Sequence, residues 1–507
     1  MFNRVPFTKG IVRGACALTA VLALTAGAVA AEKTLMVGVG MLPDSLGTRA
    51  SSFAIQSLQY QTFDPLVKRG KGAKLTPALA VRWEPVDATT WRFYLRKGVK
   101  WHDGVAFTAA DVKDSLDYAL DPKVIYGSRR RISQVSGSKV VDDHTIDIMT
   151  KKPFPTLILG LSDIPIQAKH HHEKVGAKGM AKHPLGTGPF VFSKWVPGDR
   201  YELTANKNYW GGAPKVDKIV LRQIPEGSTR VASLLAGEVH IAEEIPVDLI
   251  PKVEQTSGVA IDAVESTVGM CFTMDTRKPP FDNPKVRLAM DYAIDKPLIL
   301  KEMLKGKGSL LKAQLLTSNT FGHNPNLKAR PFDPAKAKQL LKEAGYENGF
   351  TTSITTRSGK YLSDVDIANA TAGMLLNVGI KASVNVVEGG VFTKMVKAHD
   401  MGPIHMVGWY SLGDGDLASM WFTDPSGRAY WKDDEYEKLF VDARSTVDRA
   451  KREKAYHRMM EILREQNPAV YMFGLPTVYG KSSKLSGWWP PSDKVLDLSK
   501  AELKRSE

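Results

Sequence analysis

Three adjacent histidines, His170-His171-His172, followed by Glu173, are the first residues that could do chemistry. Successive positions on a helix point in different directions, so the three rings cannot all reach one ion. Their spacing also departs from H-E-x-x-H. They read as an exposed helix end, and we expect no metal and no cofactor. Gly38-x-Gly40 runs on into Met41-Leu42-Pro43 and lacks the third glycine of a dinucleotide loop. Gly480-Lys481-Ser482 resembles the end of a phosphate loop, but the nearest upstream glycine, Gly474, lies one residue too far away. There is no G-x-S-x-G elbow, and no ordered S-x-x-K, S-D-N and K-T-G set. Asp414-Gly415-Asp416 pairs two carboxylates, which alone is weak support for glycosidase chemistry. These patterns favour a binder over an enzyme.

The first thirty residues carry a basic start (Arg4, Lys9, Arg13), a small apolar run over 15–29, and an A-x-A site at Ala28-Val29-Ala30. We expect a signal peptide over 1–30, cleavage after Ala30, and a soluble periplasmic chain. The apolar run is too short and alanine-rich for a membrane span. After cleavage only Cys271 remains, which excludes an internal disulfide and any multi-cysteine metal site. The formal charge is +15, but the basic residues are scattered and the densest run is Arg129-Arg130-Arg131. That argues against nucleic acid as a partner and for solubility or attraction to acidic ligands and surfaces.

The elements that must position any site read as follows. Residues 34–39 form the first strand, and 54–66 are weakly helical. In WRFYLRKGVKWHDGVAFTAADV (91–112), Trp91, Phe93 and Leu95 alternate with Arg92, Tyr94 and Arg96, a half-buried strand. Asp103-Gly104 then turns the chain, and Thr108 with Asp111 opens a helix. Gly186-Thr187-Gly188-Pro189 allows a close approach of backbones and a rigid exit. Ser228 is expected to cap a short helix that ends at Gly237. Asn283-Pro284 and Asp333-Pro334 each start a helix. Strand 352–356, helix 364–378, Gly379 and strand 380–387 make a βαβ unit. A long amphipathic helix spans 448–465, and 469–473 is a buried strand.

The run L-R-x-G-V-K-W-H-D-G-x-x-F-T-A-x-D-V resembles the signature of family 5 solute-binding proteins, the peptide, nickel and glutathione binders of ABC importers. HPLGTGPF (183–190), NKNYWGGAPKVDKIVLRQIP (206–225), RKPPFDNPKVRLAMDYAIDK (277–296) and Gly408-Trp409 match in order. The resemblance implies a mixed α/β (α+β) fold of periplasmic-binding-protein type II, with two lobes, a hinge and three domains. Domain I would comprise 31–76, 184–277 and 478–507, domain II 77–183, and domain III 278–477. It implies a monomer whose partners are a small-molecule or peptide ligand and a membrane permease.

The family's early cleft loop falls on Ser51, Ser52 and Phe53, and its cleft tryptophan on Trp409. Arg357 falls near the arginine that meets the ligand carboxylate in dipeptide binders, and its fork suits a bidentate contact. The aspartate expected three residues after the tryptophan is absent, because Tyr410, Ser411 and Leu412 follow Trp409. Asp416, with Asp414 as alternate, is then expected to receive an amine, with Tyr361 and Ser411 in support. GWYSLGDGDLASM is closer to the glutathione branch, and it leaves modified peptides, opines and other amino-acid conjugates open.

Overall fold

The computed structural model describes residues 32–43, 53–423 and 430–504. Two long antiparallel strands, Val259–Met274 and Ala469–Ser482, form the spine. Ala263 faces Val478 in one stretch of the pair and Gly269 faces Gly474 in the other, with the register shifting between Glu265 and Gly269. On one side of that shift the sheet continues through Ile241–Ala242, Thr34–Val39, Lys218–Gln223, Arg200–Ala205 and Phe190–Val196. On the other it continues through Ile404–Tyr410, Phe350–Arg357 and Ile380–Val387. Two lobes therefore share two strands, and the bulge falls between them. Bulges bend a strand and increase its local twist, and this one lies where the sheet passes from one lobe to the other.

A separate antiparallel sheet, Ala80–Pro85, Thr90–Leu95, Thr145–Thr150 and Val135–Asp142, carries its own core. The alternation over 91–95 is realised there. Phe93 and Leu95 are buried, while Arg92 on the other face makes two bonds of 2.8 and 2.9 Å to Asp147 on the next strand. Asp111 accepts from the Thr108 amide at 2.9 Å and, with its other oxygen, from the Lys169 amide at 3.0 Å. One carboxylate thus serves the starts of the helices Ala109–Leu120 and Lys169–Lys182.

The Asn283, Asp333 and Asp448 side chains each accept from amides in the first turn of the helix that follows. The expected cap at Ser228 is displaced. That helix begins at Gly227 with Glu226 as its cap residue, because Arg230 ties the carbonyls of Ile224 and Pro225 and sets the entry earlier. The βαβ unit has its two strands parallel in register, Phe350 opposite Ile380, and Gly379 takes φ +92° at the turn between helix and strand. Gly186 and Gly188 pass the backbone of Thr62 so closely that a Cβ on either would clash with it. Among the described residues no helix is long and apolar enough to cross a membrane.

Candidate ligand-binding cleft

Three hollows of about 580, 460 and 380 Å³ lie between the two lobes, and Lys360 and Tyr410 line all three. They form one cleft with two chemically distinct ends.

The 380 Å³ end is cationic and aromatic. Arg130, Arg131, Arg357 and Lys360 line it together with Phe392, Trp409 and Trp421, and among the described residues no carboxylate does. Arg357 ends the strand Phe350–Arg357. Its Nη2 donates to the Tyr361 hydroxyl at 3.2 Å, and its guanidinium carbon lies 4.2 Å from the Phe392 ring centre. Among the described residues its Nε has no hydrogen-bond partner and no carboxylate pairs with it. The loop after it is shaped by the buried Asp364, which accepts from the amides of Gly359, Lys360 and Tyr361 at 3.2, 2.7 and 3.0 Å. The Tyr361 hydroxyl then accepts from the Gly408 amide at 2.8 Å. A Cβ at Gly408 would stand 2.8 Å from the Tyr361 ring, which is why glycine precedes the cleft tryptophan. Trp409 stacks on Trp421 at 5.8 Å and donates from Nε1 to Cys271 Sγ at 3.2 Å. Burial pushes that thiol up to about 12. Burial, then the neighbouring Arg357 and Lys494, lowers the Lys360 pKa.

The 460 Å³ end carries Glu243 and Glu244. Burial and then the Glu244 charge push the Glu243 carboxyl up to about 8. Burial acts in the same direction on Glu244, but Lys494, 2.8 Å away, and Arg230 outweigh it and lower its pKa. The sign for stability follows from the raised value of Glu243. Below the unfolded carboxylate range, about 4.3, Glu243 is neutral folded or unfolded and costs nothing. As pH rises from there through about 8, the folded state holds a proton that the unfolded chain has released, and stability falls. Glu243→Gln should therefore raise the melting temperature relative to wild type by an increment that grows across this window. Parallel melting curves against pH for the two proteins would refute it.

Trp409, Arg357 and Tyr361 thus meet in one hollow. Three other expected residues are not among those lining the three hollows. Asp414 caps the short helix Gly415–Ser419, and both its oxygens lie 2.9–3.0 Å from Arg452 Nη2. Asp416 lies 2.9 Å from Arg444 Nε. Burial and then Asp414 push its carboxyl up to about 6. The Ser411 hydroxyl bonds Thr320 at 2.6 Å and the Thr267 carbonyl at 3.1 Å. The Asp414, Asp416 and Ser411 side chains are thus met by partners within the lobe. Asp416→Asn should change ligand affinity by less than about 0.5 kcal/mol, the usual scale for a substitution that touches nothing in the site; a larger loss in calorimetric titration would place Asp416 in the site. Ser51 and Ser52 lie outside the described residues, and Phe53 begins the helix Phe53–Thr62.

The histidine rings diverge. His170 meets Asp103, His171 the His183 carbonyl, and His172 Asp114. The sequence reading missed Lys360, Phe392, Trp421, Glu243 and Glu244. It noted the Arg129–Arg131 run without assigning it to the cleft; its density was the one available signal.

A cleft between two lobes that share two strands defines a solute-binding protein of the type II periplasmic class. The chain belongs to the bacterial extracellular solute-binding proteins, family 5, whose middle-region description matches residues 74–430. A glutathione-binding protein, GsiB, of Pectobacterium atrosepticum is 29% identical over 502 residues, covering 95% of this chain and 96% of that one. HbpA2 from Haemophilus parasuis superposes with a TM-score of 0.83 at 25% identity, covering 93% of this chain and 100% of that one. An ABC transporter-associated periplasmic binding protein, DppA from Helicobacter pylori, solved in complex with the peptide STSA, superposes at 0.76 with 26% identity and covers 93% and 98%.

Proposed function

We propose that this protein is the periplasmic substrate-binding component of an ABC importer, and that it captures a small peptide or peptide-like solute by lobe closure and delivers it to a membrane permease. In this reading residues 1–30 are removed on export and the mature chain acts as a monomer. Domain I is 31–76, 184–277 and 478–507, domain II is 77–183, and domain III is 278–477. The observation that carries the reading is Arg357, a guanidinium without a carboxylate partner among the described residues, seated among aromatic rings in the cleft. It receives the ligand carboxylate. Glu244, at the other end, which Lys494 and Arg230 hold ionised, receives the amine, and the neutral Glu243 carboxyl beside it accepts a hydrogen bond. Trp409 and Phe392 contribute apolar wall. The names of the relatives, glutathione- and peptide-binding, support this class of ligand. Closure strips water from these groups and strengthens each polar contact.

Ligand that binds only the folded state raises its melting temperature. A thermal-shift screen of short peptides, glutathione, opines and uncharged sugars should therefore return peptide-like solutes with both an amine and a carboxylate. Stabilisation by a neutral sugar alone would overturn the reading.

A further inference from the structure

We propose that the cationic end of the cleft is a two-sided clamp that selects a solute with two carboxylates at that end, one met from each lobe. This rests on the reading of the cleft given above and narrows its substrate class. The two sides come from different cores. Arg130 and Arg131 lie on the single turn Arg129–Ile132, which Ile132 anchors in the core beside the four-stranded sheet. Arg357 and Lys360 come from the βαβ unit of the facing lobe.

The three consecutive arginines are sorted by what surrounds them. Arg129 donates to the Ala119 and Asp121 carbonyls at 2.8 and 2.5 Å, closing the end of the helix Ala109–Leu120. Arg131 pairs with the buried Asp163. Arg130 has no acidic partner among the described residues; its guanidinium carbon lies 5.9 Å from the Trp421 ring centre, across the cleft. Arg130, Arg357 and Lys360 are thus three cations in one aromatic hollow, none of them in an ion pair among the described residues.

Like charges on facing walls repel, more strongly as closure excludes water. One carboxylate can answer one wall and leaves the other uncompensated. Two carboxylates answer both, so the charge of the solute sets how favourable closure is. A simple zwitterionic peptide leaves this end under-neutralised, whereas a peptide or conjugate with one additional acid group matches it.

The test is isothermal titration of matched pairs that differ by one blocked carboxylate: glutathione against its glycyl monoethyl ester, and Ala-Glu against Ala-Gln. The diacid of at least one pair should bind about tenfold tighter than its blocked partner, and this preference should fall to within about threefold in Arg130→Gln and in Lys360→Gln. Both side chains sit at the cleft surface, and melting temperatures at or above wild type for the variants without ligand establish that the fold is kept. Equal affinities within each pair that binds, or a preference that survives both substitutions, would overturn the clamp while leaving the peptide-binding reading in place. If none of the four compounds binds while other peptide-like solutes do, the clamp falls alone; if no peptide-like solute binds, the reading of the cleft falls with it.

Discussion

Arg357→Ala should weaken binding of a carboxylate-bearing peptide-like ligand by on the order of 2–5 kcal/mol, the cost of removing one partner of a desolvated charge pair. The guanidinium is half-buried, with Phe392 at 4.2 Å and Tyr361 at 5.6 Å from their ring centres. Among the described residues its Nε carries no hydrogen bond. A carboxylate arriving there gains a charge-assisted contact where little water competes. Arg357→Lys should recover only part of the affinity, because an ammonium lacks the planar fork. The ligand-free variant should melt at or above the wild-type temperature, since a cation beside Lys360 is removed and no ion pair is broken. Titration calorimetry measures the affinity and scanning calorimetry the stability. A loss of affinity below about 0.5 kcal/mol, within the range of a neutral surface change, would remove Arg357 from the site.

Where a local rule and the tertiary packing agree, the sequence was sufficient. Asn283-Pro284 and Asp333-Pro334 start helices because an acceptor side chain and a preset φ serve orphan amides whatever lies around them. Phe93 and Leu95 alternate with Arg92 because that strand has one wet face, and the wet face has an aspartate on the next strand. Gly408 was legible only as part of a motif; its reason, the Tyr361 ring 2.8 Å from where a Cβ would stand, belongs to a loop 47 residues away.

The site was harder to read because partners far apart in the chain decide which charges remain available. Asp416 looked open and is met by Arg444, and Asp414 is met by Arg452. Arg129, Arg130 and Arg131 are indistinguishable by type, yet carbonyls take the first and Asp163 takes the third. No local pattern separates them. Glu243 and Glu244 sit beside the two-residue strand Ile241–Ala242, too short to show a period. Their place in the cleft depends on how that strand pairs with Thr34–Val39 and Ala469–Ser482.

Asp163→Asn should cost about 3–5 kcal/mol of stability, as expected when a buried ion pair loses one charge and its partner stays behind. The Asp163 side chain is fully buried and lies between two arginines. One oxygen is 2.5 Å from Arg69 Nη1, and the other meets Arg131. Arg69, itself without solvent exposure, also donates to Asp493 at 2.5 Å, to Ser162 at 2.6 Å and to Gln56 at 3.3 Å. Two buried aspartates balance the two arginines, and the cluster joins segments near residues 69, 131, 163 and 493. Asparagine keeps the shape and removes the charge, so Arg69 and Arg131 are left with Asp493 alone. Burial, then Arg69 and Arg130, already pushes the Arg131 guanidinium down to about 10. Adding Arg131→Met to Asp163→Asn removes the surplus cation, so the double variant should recover part of the loss and be less destabilised than the sum of the single variants. Equilibrium denaturation of the four proteins closes this cycle. A cost under about 1 kcal/mol for Asp163→Asn, the scale of an exposed pair, or strict additivity, would show that Asp163 does not hold the two arginines together.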